Sequence, residues 1–170
     1  MKGYLFLLLV GVLILCTLSS TPSVNIATIK KLALQVANGN QVLADLTAAQ
    51  AILESNLEGK PSMLAFKYNN LFGIKGSGTA GSVSLPTTEY IKGKKESVMQ
   101  QFAANTNIED SLQQHNNLFK NGTSDNPLRY TKVLKATTFE EAAQAVQAAG
   151  YATDPNYSKE LIAVYNRDLK

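Results

Sequence analysis

The sequence predicts an α+β domain, mainly helical, with one small β-hairpin set among the helices. Three observations carry this. Several stretches place apolar residues at helical spacing between polar caps and glycine stops. A single pair of segments rich in β-branched and aromatic residues flanks a Lys-Gly turn. A length of 170 residues with 45% hydrophobic side chains is enough to bury one core without disulfides or metal.

The elements follow in order. In "SVNIATIKKLALQVANGN", Ile26, Ile29, Ala33 and Val36 form one helical stripe, and Gly39 supplies a left-handed stop. A second helix is predicted from about Asp45 to Glu54 or Asn56, apolar nearly all round and therefore buried. A short helix over Ser62–Lys67 leads into a glycine-rich stretch, Gly73 to Gly81, whose spacing matches no phosphate-binding loop and which reads as flexible. "SLPTTEYI" and "ESVMQQF", joined by "KGKK", read as the hairpin, with Thr87, Glu89 and Ile91 on one face. Next, Asn107 caps a helix carrying Ile108, Leu112, His115 and Phe119, and "NGTSDNPLRY" is loop. Thr138 to Glu141 form a capping box before "FEEAAQAVQAA", which Gly150 ends. Asp154-Pro155 reads as an N-cap with proline at the first position of a last helix, on which Tyr157, Leu161 and Tyr165 share a side.

The first 20 residues stand apart from this pattern. Lys2 precedes the apolar run "YLFLLLVGVLILCTL", followed by small polar residues, as in a secretory signal. The run is also close to the length of a membrane span, so a cleaved signal and a retained anchor are both open. Residues 21–170 then form the single folded domain, acting outside the cytoplasm, secreted or held to the membrane by this segment. The net charge of +3 is a mild bias, and no nucleic-acid partner is expected. The single cysteine, Cys16, lies in the leader, so the domain has neither disulfide nor thiol chemistry. With one histidine besides, no zinc site of the usual nitrogen and sulfur ligands is expected, nor any other metal or cofactor. The domain is expected to be a monomer.

Carboxylates are left to do the chemistry. His115 lies on the apolar stripe of its helix and no Gly-x-Ser-x-Gly elbow is present, so it reads as a core residue. Glu54 ends the buried helix, where the helix dipole and apolar neighbours both disfavour ionisation, as a general acid needs. A solvent-facing Glu on the last turn is the plainer alternative. Glu58 competes but sits among Asn56, Gly59 and Lys60 in a turn. Glu89 reads from its strand as a surface residue; paired with Glu54 across a helix end and a hairpin, it gives the two-carboxylate arrangement of a glycosidase cleft.

"AQAILES", "NNLFGIKG", "TTEY", "SLQQH" and "GYATDPNY", in this order from about Leu46 to Tyr165, resemble the bacterial and phage endo-β-N-acetylglucosaminidases, glycoside hydrolase family 73. The resemblance implies a lysozyme-like α+β fold with the hairpin beside the active-site cleft. It implies cleavage of the β-1,4 bond between N-acetylglucosamine and N-acetylmuramic acid, with peptidoglycan glycan strands as the partner. Carried over by position, Glu54 resembles the catalytic acid, Glu89 the second carboxylate, acting as base or stabiliser, and Tyr151 a tyrosine facing the cleft. Asn70 and Phe72 would line the saccharide groove; Asp154 and Tyr157 are matched too, with helix-cap and core readings beside substrate contact. The chain departs from the usual pattern in having Asn56-Leu57-Glu58-Gly59 for Gly-Trp-Gly after Ser55, and Phe102-Ala103 for Phe-Arg. A muramidase or lytic transglycosylase of related fold, and a wall-binding module without activity, are the rival readings.

Overall fold

The computed structural model describes residues 25–57, 61–91 and 94–170, without the side chains of residues 89–91. The predicted leader, Glu58 and the first half of the hairpin turn lie outside the described residues. Among the described residues no helix is long and apolar enough to cross a membrane.

The helix ends are written in asparagine and glycine. α1 (Ile26–Val36) is capped by Asn25, whose side chain accepts from Thr28 N–H, and it buries Ile29, Ala33 and Val36 as expected. Asn38 and Gly39 both take positive φ after it. α2 (Gln41–Ser55) begins four residues earlier than predicted, because the Asn40 side chain accepts from Leu43 N–H and starts the helix at once. Its small side chains let neighbours approach on all sides, and α1, α4, α6 and α7 all pack on it. Asn56, left-handed at φ 54°, ends α2 directly after Glu54 and Ser55.

α3 (Met63–Tyr68) has Ser62 as N-cap and left-handed Asn69 as C-cap. β1 (Ser82–Ile91) and β2 (Lys94–Ala103) form an antiparallel two-stranded sheet with Ser82 opposite Ala103 at its base and Ile91 opposite Lys94 at its tip. Burial along β2 falls from Phe102 and Ala103, which are buried, to Lys94–Ser97, which are exposed. The ribbon therefore projects from the core, rooted at one end.

The glycine-rich stretch before β1, expected to be flexible, is instead stapled to the end of β2. Gly76 N–H donates to Gln101 O, Ala80 N–H to Ala104 O, and Ala104 N–H to Gly81 O, at 2.9–3.0 Å. Glycine is needed here for space: a Cβ on Gly78 would collide with the Ala104 carbonyl and the Asn105 side chain.

α4 (Ile108–Asn121) is capped by Asn107 as predicted and buries Leu112, His115 and Phe119. α5 (Thr131–Lys135) was not legible; five residues without a side-chain cap leave no periodic signal. α6 (Phe139–Ala148) has Thr138 as N-cap, but Glu141 completes the box one residue further back, accepting from Thr137 N–H and Oγ1 at 2.9 Å. α7 (Tyr157–Val164) starts two residues after the predicted proline position. Asp154 does not cap it; its Oδ1 accepts from Asn156 N–H at 2.7 Å and its carbonyl from Tyr157 N–H at 3.2 Å, forming the turn that delivers the helix. A closing π-turn, Tyr165–Leu169, continues from α7, and the Tyr165 ring stacks on Phe139 at 4.0 Å.

Candidate active site

Glu54 sits on the last turn of α2, half-buried where α7 crosses the helix end. Tyr157, the first residue of α7, donates its hydroxyl to Glu54 Oε1 at 2.7 Å. The same hydroxyl accepts from Gln50 Nε2 at 2.8 Å, one helical turn before Glu54. Burial of the carboxyl is the main cause that pushes its pKa up, to about 7. The Tyr157 hydrogen bond pulls the other way, and the like charge of Glu160, one turn along α7, adds to the rise. Glu54 is thus a carboxyl that stays protonated well above the ordinary carboxylate range and is about half protonated at pH 7. The sequence reading anticipated that direction, although desolvation rather than the helix end leads.

The tyrosines are behind the acid, not in front of it. Tyr157 is 0% and Tyr151 2% exposed, so both are packed in the core here, whereas a cleft-facing and a substrate-binding role were expected of them. The Tyr151 ring stacks on Tyr157 at 5.8 Å and meets His115 edge-on at 5.7 Å. Burial first, then the Glu54 charge, holds both phenols well above the usual tyrosine range, so both stay protonated, Tyr157 as the donor to Glu54.

Asn70 and Phe72, expected in the groove, are core residues as well, 1% and 0% exposed. Asn70 Nδ2 donates to Ile74 O and Ala103 O, and its Oδ1 accepts from Ile74 N–H, all at 2.9 Å. It therefore ties the turn after α3 to the root of the hairpin. Phe72 stacks on His115 at 4.0 Å, and His115 is fully buried, its pKa lowered by burial to about 3. The histidine is a neutral core ring, as its position on the apolar stripe suggested. "NNLFGIKG" is thus a joint between core and hairpin.

"GYATDPNY" serves placement too. Arg129 Nε donates to Ala149 O at 2.7 Å, and Gln147 Nε2 donates to Pro155 O at 3.0 Å while its Oε1 accepts from Ser158 N–H at 2.7 Å. Asp154, with Oδ1 engaged within its own turn, belongs to this scaffold. Together these bonds fix where Tyr157 meets Glu54. Gln50 and Glu160 were missed by the sequence reading: Gln50 passed for filler on a buried helix, and nothing local marks Glu160 as a neighbour of Glu54.

The backbone of Glu89 pairs with Glu96 toward the outer end of the hairpin. The Glu89 side chain lies outside the described residues; before it on β1, Val83, Leu85, Thr87 and Thr88 are half-buried and Ser82, Ser84 and Pro86 are exposed. No group of three or more His, Cys, Asp or Glu among the described residues could hold a metal ion.

A mainly helical domain with a rooted two-stranded flap and a dry, tyrosine-held glutamic acid at a helix end is the frame of a lysozyme-like glycosidase. Residues 30–169 match the Glucosaminidase family model, described as mannosyl-glycoprotein endo-beta-N-acetylglucosaminidase, and the chain belongs to this family of glycoside hydrolases. Among its relatives, the exo-glucosaminidase LytG of Bacillus subtilis is 42% identical over 126 residues, covering 74% of this chain and 44% of that protein. The peptidoglycan hydrolase FlgJ of Escherichia coli K12 is 38% identical over 126 residues, 68% of this chain and 37% of that protein. The catalytic domain of the autolysin Auto from Listeria monocytogenes has a TM-score of 0.76 at 30% identity, covering 88% of this chain and 86% of that one. The chain spans less than half the length of these curated relatives.

Proposed function

We propose that this chain hydrolyses the β-1,4 bond between N-acetylglucosamine and the following N-acetylmuramic acid in peptidoglycan. Glu54 donates its proton to the leaving glycosidic oxygen. Glu89 is the second carboxylate, activating water or steadying positive charge on the reacting sugar. The observation that carries this reading is the Glu54 carboxyl itself, desolvated and pushed to about 7 at the end of a buried helix. A carboxyl that only solvated a surface would have no reason to be held there. The names of the relatives, an exo-glucosaminidase and a peptidoglycan hydrolase, agree with the substrate class.

Glu89 lies seven steps along the strand from the hairpin root at Ser82, about 23 Å when extended. Glu89 therefore joins the reaction by movement of the projecting ribbon over bound glycan, the way flaps close on substrates. Action on the wall also fits an extracytoplasmic location, reached by secretion or by a membrane-held leader.

A digest of purified sacculi, reduced with borohydride and analysed by mass spectrometry, tests the reading. Wild type is expected to release fragments ending in reduced N-acetylglucosamine, and Glu89→Gln to release them at least about tenfold more slowly. Reduced muramic ends would make the enzyme a muramidase, and anhydro-muramic ends a transglycosylase. Binding to sacculi without release of any ends would leave a wall-binding module. An unaffected Glu89→Gln would remove Glu89 from the mechanism.

A further inference from the structure

Gln50 is a puzzle as a structural residue. It is 0% exposed on a helix whose other buried side chains are mostly alanine, leucine and isoleucine, with the smaller Thr47 and Ser55 among them, and its Oε1 finds no hydrogen-bond partner among the described residues. A buried amide with half its capacity unused costs stability, and an apolar side chain of the same size would pack there at less cost. Its one side-chain bond is the donation to the Tyr157 hydroxyl.

That bond has a direction. The Gln50 Nε2 group can only donate, so Tyr157 Oη receives a hydrogen from one side and has a single hydrogen of its own to give. It gives it to Glu54 Oε1. Oε1 is thereby an acceptor, and the proton of the carboxylic acid is left on Oε2. Without the Gln50 amide, the phenol could turn and accept from Glu54 instead, which would draw the acid proton onto Oε1, the oxygen tied to Tyr157.

We infer that Gln50 is a positioning residue of the reaction: through Tyr157 it locks Glu54 Oε1 as an acceptor, so that the proton to be transferred is carried by Oε2. This rests on Glu54 being the acid, as proposed above. The groups that face the carboxyl are Tyr157 and Glu160 from α7, with the Tyr151 hydroxyl behind them. Of these, Tyr157 alone lowers the Glu54 pKa, so loosening its donation moves the titration upward.

Gln50→Met, which keeps the volume and removes the donor, Tyr157→Phe and the double variant form the test, with Glu54→Gln as reference. On soluble peptidoglycan oligomers, Gln50→Met is expected to lower kcat about tenfold with KM unchanged, a part of the full contribution of a general acid. The alkaline limb of its pH–rate profile should move to higher pH, and its melting temperature should not fall. In the Tyr157→Phe background the same change should do nothing further, because its route to the carboxyl is already cut. A carboxyl ¹³C titration of Glu54 in Gln50→Met reads the same upward move without turnover. An unmoved titration and limb, or effects that add in the double variant, would overturn the role of Gln50 while Glu54→Gln stays inactive. An active Glu54→Gln would instead overturn the acid assignment on which it rests.

Discussion

Glu54→Gln is expected to lower glycan cleavage by about 10²- to 10⁴-fold, the usual contribution of a positioned general acid, without loss of fold. The amide keeps the volume of the carboxyl and can still accept from Tyr157, but it has no proton to give. The same substitution should act on stability with a sign that depends on pH. The folded-state pKa of about 7 lies above the ordinary 4.5, so neutral Glu54 contributes stability that is fully present below 4.5 and is lost as pH rises through 7. Above that window the native protein carries a desolvated charge at a cost of up to about 3 kcal/mol. Gln carries none. Melting temperatures measured across pH should therefore favour Glu54→Gln above pH 7 and converge below pH 4.5. A variant that gains nothing at alkaline pH would show that the carboxyl is better solvated than its surroundings indicate, and one that keeps full activity would remove it from catalysis.

Asn70→Ala should be the most damaging change outside the acid. It removes two donated bonds and one accepted bond at 2.9 Å in a site 1% exposed. The Ile74 carbonyl retains the Ala103 N–H, but Ala103 O and Ile74 N–H lose their Asn70 partner. A loss of about 3–5 kcal/mol follows from leaving buried backbone groups unpaired and a small void. The damage is directional, since Ala103 is the last residue of β2 and roots the flap that bears Glu89. Denaturant unfolding should show the loss. Amide exchange should show hairpin protons opening before those of α2. A variant within 1 kcal/mol of wild type would mean that the turn and the hairpin root hold together without this side chain.

Much of the architecture could be read in advance because its punctuation is local. Asn107 and Thr138 start helices by bonds to residues three positions on, and Gly39 and Gly150 stop them by conformations other side chains resist. Glu54 could be singled out for the same reason: a carboxylate on a helix with no polar face has to be explained. What surrounds it could not. Tyr157 is 103 residues away, and only the fold brings its hydroxyl to Oε1. Asn70 and Phe72 were placed in the groove because a specific motif suggested ligand contact, whereas the specificity of "NNLFGIKG" comes from joining two parts of the structure. The glycine-rich stretch failed in the opposite sense, since glycines that permit motion equally permit a loop to lie against a strand. α5 is too short to show a period, and Asp154 is a turn residue whose distance from the helix start cannot be judged from spacing alone.

Glu54 is an acid that still holds its proton in about half of the molecules at pH 7, where an ordinary glutamate is fully ionised. ¹³C NMR of protein labelled at glutamate side-chain carboxyls, with the Glu54 signal assigned by its loss in Glu54→Gln, measures this directly. A midpoint near 7 is expected. A midpoint near 4.5, the value of an ordinary glutamate, would contradict it.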